Sequence, residues 1–153
     1  MSETIRLDQQ LCFAIYQAHK TFNHFYAEAL APFKLTYAQY VVLLVLYQQD
    51  NLSVKALGQQ VGLDSGTLTP LLKRLEKDHW VIRQRSRVDE RRLEIVLTPY
   101  AKKQQQPLFQ RVNSCQKTLQ LPPDQYQKLM ANMQQLVVQL QQGTKALATA
   151  SEA

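Results

Sequence analysis

The chain is predicted to be mainly α-helical with one two-stranded β hairpin, and three observations lead there. Apolar residues recur at spacings of three and four over most of its 153 residues. That spacing gives way to alternation in one stretch only, between residues 81 and 97. Side chains suited to capping stand where four of the helical stretches begin: Thr36, Ser53, Asp64 or Ser65, and Thr98.

From Leu11 the positions Leu11, Ile15, Ala18, Phe22, Phe25 and Ala29 advance alternately by four and three, the seam of a long helix ending near Pro32. Thr36 caps a second helix in which Tyr40, Leu43, Leu44 and Tyr47 keep helical spacing. Its run YVVLLVLY is apolar nearly all round, so burial on several sides is expected, with a strand as the competing reading of its β-branched residues. After the polar turn QQDN, Ser53 caps a short helix with Val54, Leu57 and Val61 facing inward, and Gly62-Leu63 breaks it. Asp64 or Ser65 starts the next helix, which runs to about His79. Leu68, Leu71, Leu72 and Leu75 form its apolar face, while Thr67, Thr69, Lys73, Arg74 and Lys77 point elsewhere. Pro70 inside it removes a hydrogen bond. Two helices joined by a tight, glycine-containing turn, the second polar and basic outside, make a helix-turn-helix.

The period then changes. Val81–Arg85 reads as a strand, SRVDE as a connection and Leu93–Leu97 as the partner strand. A hairpin directly after a helix-turn-helix is a winged-helix arrangement, and its tip carries Arg85, Arg87, Arg91 and Arg92 around Asp89 and Glu90. Asp89 is placed either to pair with Arg91 and support it, or to serve as a turn residue. His79 and Trp80, at the joint, read as core or boundary residues. Thr98-Pro99 opens a helix with Leu108, Val112, Cys115 and Leu119 on one face, and Pro122-Pro123 stops it. Leu129, Met133, Leu136, Val137 and Leu140 stripe a last helix. Apolar seams thus flank a central module, and a second copy of the chain is the natural cover. The expected organisation is an N-terminal dimerisation helix (1–35), a winged helix-turn-helix DNA-binding region (36–98) and C-terminal dimerisation helices (99–153).

Composition narrows the function. Hydrophobic residues make up 45% and charged residues 20%, ordinary values for a packed domain once twenty-two glutamines are allowed for. No apolar run is fit to span a bilayer and the start MSETIRLDQQ has no leader pattern, so a cytoplasmic protein without membrane contact is expected. The net charge of +6 is concentrated in residues 53 to 103, which carry eleven basic against six acidic side chains. Such a segment favours a phosphate-bearing partner. There is no Cys-X-X-Cys, His-Glu-X-X-His, phosphate-cradling loop or dinucleotide fingerprint, and His19, His24 and His79 make no metal-ligand spacing. Metalloenzyme, nucleotide-binding and hydrolase readings lose ground together; no metal and no cofactor is expected.

A helix-turn-helix lays its second helix in the major groove of duplex DNA with the N-terminal residues nearest the base edges. That geometry gives Ser65, Thr67 and Thr69 to base reading or nearby anchoring, and Lys73, Arg74 and Lys77 to phosphates. A basic hairpin tip with Arg87 and Arg91 reaches the adjacent minor groove.

Cys12 stands on the first helix one turn before Tyr16, while Tyr26 and Tyr37 lie near its far end and at the start of the next helix. Fourteen helical residues span about 21 Å, so Cys12 meets Tyr26 only across two antiparallel subunits. A thiolate receiving tyrosine hydrogen bonds would react with peroxides; equally, Cys12 reads as a small hydrophobe among packing tyrosines.

The segments LCFAIYQAHKTFNHFYAEAL, LTYAQYVVLLVLY and LDSGTLTPLLKRLEKDHWVIRQRSRVDERRLEIVLT closely resemble the MarR family of winged-helix regulators, specifically its organic hydroperoxide resistance repressor (OhrR) branch. DSGTLTPLLKRLE and VDERR mark the family; LCF with Tyr16, Tyr26 and LTY marks the branch. The resemblance covers residues 5 to 119. It implies that Cys12 is the peroxide-reactive thiol, that Tyr26 and Tyr37 of the partner hydrogen-bond it, that the DNA-reading helix is residues 65 to 77 and that the wing arginine is Arg87 or Arg91. Some members cap the oxidised cysteine with a low-molecular-weight thiol and others resolve it with a second cysteine, which Cys115 resembles.

The expectation is therefore a redox-sensing repressor and not an enzyme: a reduced homodimer on a pseudo-palindromic operator, released when organic hydroperoxide oxidises Cys12. Two other readings stay open. One is a MarR-type regulator released by a small phenolic ligand, the other a thiol-dependent redox enzyme.

Overall fold

The computed structural model describes residues 6–151; residues 1–5, part of the start scanned for a leader, and residues 152 and 153 lie outside the described residues. Six helices and three strands follow in the order α1 (Leu11–Leu30), α2 (Tyr37–Gln48), β1 (Leu52–Ser53), α3 (Val54–Val61), α4 (Ser65–Lys77), β2 (Val81–Arg85), β3 (Leu93–Leu97), α5 (Pro99–Lys117) and α6 (Pro123–Ser151). The chain divides into two compact units, one up to Ser114 and one from Cys115 onward. Among the described residues no single helix is long and apolar enough to cross a membrane.

The first unit is a winged helix. Its caps form where side chains can take up orphan amide hydrogens. Thr36 and Gln39 exchange hydrogen bonds in a capping box, Ser53 accepts from the Ala56 amide, Asp64 from the Thr67 amide and Thr98 from the Ala101 amide. The helix reading of YVVLLVLY holds over its strand rival, and Val42, Leu43 and Leu46 are fully buried. They pack in one core with Leu30, Leu57, Leu68, Leu72, Leu75, Trp80, Ile95 and Leu108. Each such side chain contributes about 1.5–3 kcal/mol by leaving water.

Several boundaries move. α1 stops at Leu30, and a single turn of tighter helix, Ala31–Phe33, takes the Pro32 position. α4 stops at Lys77, two residues short of His79, because His79 adopts a left-handed conformation (φ 62°). The Trp80 amide then donates to Leu75 and the His79 amide to Glu76, the double closure that ends many helices. α5 stops at Lys117: the Thr118 hydroxyl donates back to the Cys115 carbonyl and Gln120 is left-handed, so Leu119 lies beyond the helix and half of its surface is exposed. Pro70 is tolerated because it and Gly66, whose carbonyl it cannot bond, are both exposed to water.

The sheet has one strand more than the expected hairpin. Its order is β1-β3-β2, antiparallel throughout, with Leu52 opposite Ile95 and Arg83 also opposite Ile95 on the other side. β1 is two residues long, too short to show an alternation in sequence. It fastens the root of the wing to the start of α3. Asp50 reinforces that root: its carboxylate accepts from the Leu97 and Asn51 amides and lies 2.9 Å from the Lys102 ammonium.

Glycine is required at two places around the turn between α3 and α4. Gly62 ends α3 at φ 70°, where side chains rarely fit. Gly58 faces the turn so closely that a β-carbon would lie 2.8 Å from the Leu63 carbonyl oxygen and 3.5 Å from Leu68 Cδ2. The first of these neighbours is backbone and has no rotamer to change. Gly58→Ala is therefore expected to destabilise the fold by about 1–2 kcal/mol net, overpacking outweighing the better helix propensity of alanine. Urea unfolding measures it, and a variant as stable as the parent would show that the turn relaxes freely.

The second unit consists of the end of α5, the turn through Pro122-Pro123 and α6. Leu129, Met133, Val137 and Leu140 of the predicted stripe are exposed, as are Met130, Val138 and Leu147, and only Leu136 is partly covered.

Candidate functional site

Two groups of residues carry the chemistry. The first is the outer surface of α4 with the wing. Ser65 and Thr67 are exposed on the first turn of α4 and Thr69 is half-buried; Lys73, Arg74 and Lys77 are exposed further along. Asp64 organises this N-terminus. Its carboxylate accepts from the Thr67 amide at 2.8 Å and from the Thr67 hydroxyl at 3.1 Å. Those bonds, the Thr67 amide first, hold the Asp64 carboxyl below its usual range. The Thr67 hydroxyl thus directs its hydrogen at Asp64 and offers its oxygen as an acceptor outward.

At the wing tip Arg87 and Arg91 are exposed and Val88 is 97% exposed. Of the two roles open to Asp89, an ion pair with Arg91 or a turn residue, the structure shows the turn. Asp89 Oδ2 lies 3.3 Å from Arg92 Nε, and Asp89 Oδ1 accepts the backbone amide of Arg91 at 3.1 Å. A carboxylate that turns the chain over its own next residues leaves the Arg91 head free for a partner and draws in the arginine one step later. Ser86, buried at the neck, accepts the Val88 amide, and Arg85 donates to the Glu90 carbonyl. The tip is a tied loop with two outward guanidinium groups.

The second group is the thiols and tyrosines. Cys12 is exposed on α1 and is a free thiol; Cys115, also free, is partly buried in the second unit. Tyr26 and Tyr37 are brought together with ring centroids 4.7 Å apart, and Phe22 stands 4.6 Å from Tyr26 and 4.9 Å from Tyr37. Burial and then the neighbouring Tyr26 hold the Tyr37 hydroxyl above its ordinary pKa. Cys12 is not brought to these tyrosines within one chain, since Cys12 and Tyr26 share α1 about 21 Å apart along its axis.

Two participants were not singled out in the sequence. Tyr40, expected only as a helix position, joins the aromatic cluster 6.2 Å from Tyr26 and 6.4 Å from Tyr37, and its burial, aided by both neighbours, pushes its pKa to about 12. Its spacing of three from Tyr37 was the available signal. Glu76, on the last turn of α4, accepts from both the side chain and the backbone of Arg83 in β2. No local pattern announces that pair.

A helix-turn-helix with a basic, tethered hairpin defines a DNA-binding transcriptional regulator of the winged-helix class. The family model for the transcriptional regulator SarA/Rot matches residues 24–111, and the chain belongs to that family. It is 54% identical over 103 residues to the HTH-type transcriptional regulator TtmR of Methylorubrum extorquens, an alignment covering 64% of this chain and 53% of TtmR, so that it spans about half the length of that relative. It is 40% identical over 135 residues to the HTH-type transcriptional regulator SarZ of Staphylococcus epidermidis, covering 88% of this chain and 91% of SarZ. Reduced AbfR bound to DNA has a TM-score of 0.79 at 37% identity over 90% of this chain and 94% of that one. The disulfide form of AbfR gives 0.65 at 38% identity, covering 86% and 93%. Overoxidised AbfR bound to DNA gives 0.74 at 38% identity, covering 88% and 95%.

Proposed function

We propose that this regulator is a homodimeric redox repressor in which the reduced dimer holds a pseudo-palindromic operator and oxidation of Cys12 by an organic hydroperoxide releases it. The observation that carries the reading is an exposed free thiol on α1, together with a preformed pair of tyrosines, Tyr26 near the far end of the same helix and Tyr37 at the start of α2. Two antiparallel copies of α1 would bring the thiol of one to the tyrosines of the other. A hydroxyl that keeps its proton, as the raised Tyr37 does at neutral pH, is a donor to a thiolate. Such bonds favour the thiolate and hence its attack on peroxide.

In the first step the Cys12 thiolate attacks the terminal oxygen of the hydroperoxide. A sulfur–oxygen bond forms, the O–O bond breaks, and the alkoxide leaves as alcohol after taking a proton. In the second, the Cys115 thiolate of the partner attacks the sulfenic sulfur: the S–S bond forms, the S–O bond breaks, and the hydroxide that leaves takes a proton to become water; without it, a low-molecular-weight thiol does the same. The AbfR precedent, DNA-bound when reduced or overoxidised and known separately as a disulfide form, favours the disulfide as the releasing species. On the DNA, Ser65, Thr67 and Thr69 face the major groove, Lys73, Arg74 and Lys77 the phosphates, and Arg87 and Arg91 the minor groove, with Asp89 shaping the wing. Residues 1–35 and 99–153 supply the dimer contacts and 36–98 the DNA contacts.

The test is a band-shift titration with and without cumene hydroperoxide, followed by mass measurement and peptide mapping. Release by peroxide with a linkage of Cys12 to Cys115 is expected. Release by a phenolic acid and survival in peroxide would place the chain among ligand-responsive regulators. Tyr26→Phe and Tyr37→Phe should each slow the oxidation of Cys12 severalfold, because each removes one donor to the thiolate. Thiol-trapping rates equal to the parent in both variants would reduce the tyrosines to packing residues.

A further inference from the structure

The DNA-reading helix and the wing are joined by more than the chain between them. Glu76 stands on the last turn of α4 and Arg83 in the middle of β2, and both side chains are mostly covered. Glu76 Oε2 lies 2.7 Å from Arg83 Nε, and Glu76 Oε1 accepts the Arg83 backbone amide at 3.1 Å. β2 is an outer strand of the sheet, paired on one side only, and the amide that Glu76 takes points to the unpaired side. One carboxylate therefore fixes both the strand's position and its side chain against the helix. Two charge-assisted bonds with different directions allow neither sliding nor rotation of the strand without loss of one of them.

The short connection is also fixed. The left-handed His79 closes α4, its carbonyl accepts the Thr98 hydroxyl at the exit of the wing, and the Trp80 amide returns to Leu75. At the other end the tip is tied by Asp89 to Arg92 and by Arg85 to the Glu90 carbonyl. A lever rigid at the tip and along the strands transmits whatever angle its root adopts.

We propose that Glu76 is a positioning residue for DNA binding: through Arg83 it sets the angle between α4 and the wing, so that major-groove contacts by α4 and minor-groove contacts by Arg91 are made by one rigid body. This rests on the placement of α4 and the wing on DNA given above. Glu76 itself touches no DNA. Removing its charge should uncouple the wing while leaving α4 able to bind.

The experiment uses the reduced full chain and a duplex that this chain selects from a random-sequence pool. Affinity is measured for the parent, Glu76→Gln, Arg91→Ala and the double variant, with circular dichroism on each. Arg91→Ala is expected to cost the parent about tenfold in affinity. In the Glu76→Gln background the same change should cost less than about twofold, because the wing contact has already been lost. Hydroxyl-radical protection of the minor groove should weaken in Glu76→Gln, whereas methylation protection in the major groove persists. Should Glu76→Gln not fold, Arg83→Lys carries the same comparison, since it keeps the charge but loses the Nε geometry. An equal cost of Arg91→Ala in both backgrounds, with unchanged minor-groove protection, overturns the proposal and leaves the pair a stabilising contact. If Arg91→Ala has no effect on the parent, the wing is not on the DNA, and the placement on which this rests fails first.

Discussion

Cys12→Ser is expected to bind operator as tightly as the reduced parent and to stay bound in peroxide concentrations that release the parent completely. Serine fills nearly the same volume on an exposed turn of α1, so neither the helix nor its surroundings need change. What disappears is a polarisable thiolate able to open an O–O bond, because a serine hydroxyl stays protonated and does not form a sulfenic acid. Band shifts with and without cumene hydroperoxide provide the readout. Loss of DNA binding by the unoxidised variant would mean that Cys12 is a structural residue, and normal release would move the sensor elsewhere. Cys115→Ser separates the next step: it should leave Cys12 as a sulfenic acid or a mixed disulfide with added thiol, and remove the covalent dimer from non-reducing gels.

The largest effect on stability is expected at Trp80. It is the only tryptophan, it is 1% exposed, and its ring stands 6.5 Å from Phe33 and 5.2 Å from Tyr100 by centroid. It also begins the wing, one residue after the left-handed His79. Trp80→Ala leaves a cavity where α4, the wing and α5 meet, at a cost of about 3–5 kcal/mol. Against a total of about 5–15 kcal/mol for a domain, this brings the fold near its limit. Urea unfolding followed by circular dichroism should show a lower midpoint, and Trp80→Phe should recover much of it. A loss under about 1 kcal/mol for Trp80→Ala would show that the neighbouring rings close over the gap.

What the sequence disclosed and what it concealed divide by range. As caps, Thr36, Ser53, Asp64 and Thr98 accept from amides three residues on, and each begins a helix where its chemistry predicts. The core faces of α2 and α4 and the register change at Val81 were equally local. By contrast Asp50 reaches Leu97, forty-seven positions away, and the partner of Leu52 is Ile95; no pattern around residue 50 contains either fact. Asp89 shows a subtler limit. Its neighbours allow either a pair with Arg91 or a turn; the turn forms, its carboxylate takes the Arg91 amide, and Arg92 is the side chain left within reach. At the thiol site the resemblance supplied Cys12, Tyr26 and Tyr37, and the fold unites the two tyrosines. Cys12 on the same helix as Tyr26 cannot join them in one chain, so the proposed meeting would need a second copy, which no pattern along one sequence draws.

The bare apolar rows of α6 bear finally on dilution. Leu129, Met133, Val137 and Leu140 each keep about half of their surface in water, and a surface of that kind gains from leaving water when another molecule arrives. With a second copy as the cover, folding and association share one equilibrium, and the midpoint of thermal unfolding rises with the logarithm of protein concentration. The assembled fraction of such a regulator would then fall as it is diluted. Any rise in its synthesis would increase the fraction assembled as well as the number of chains.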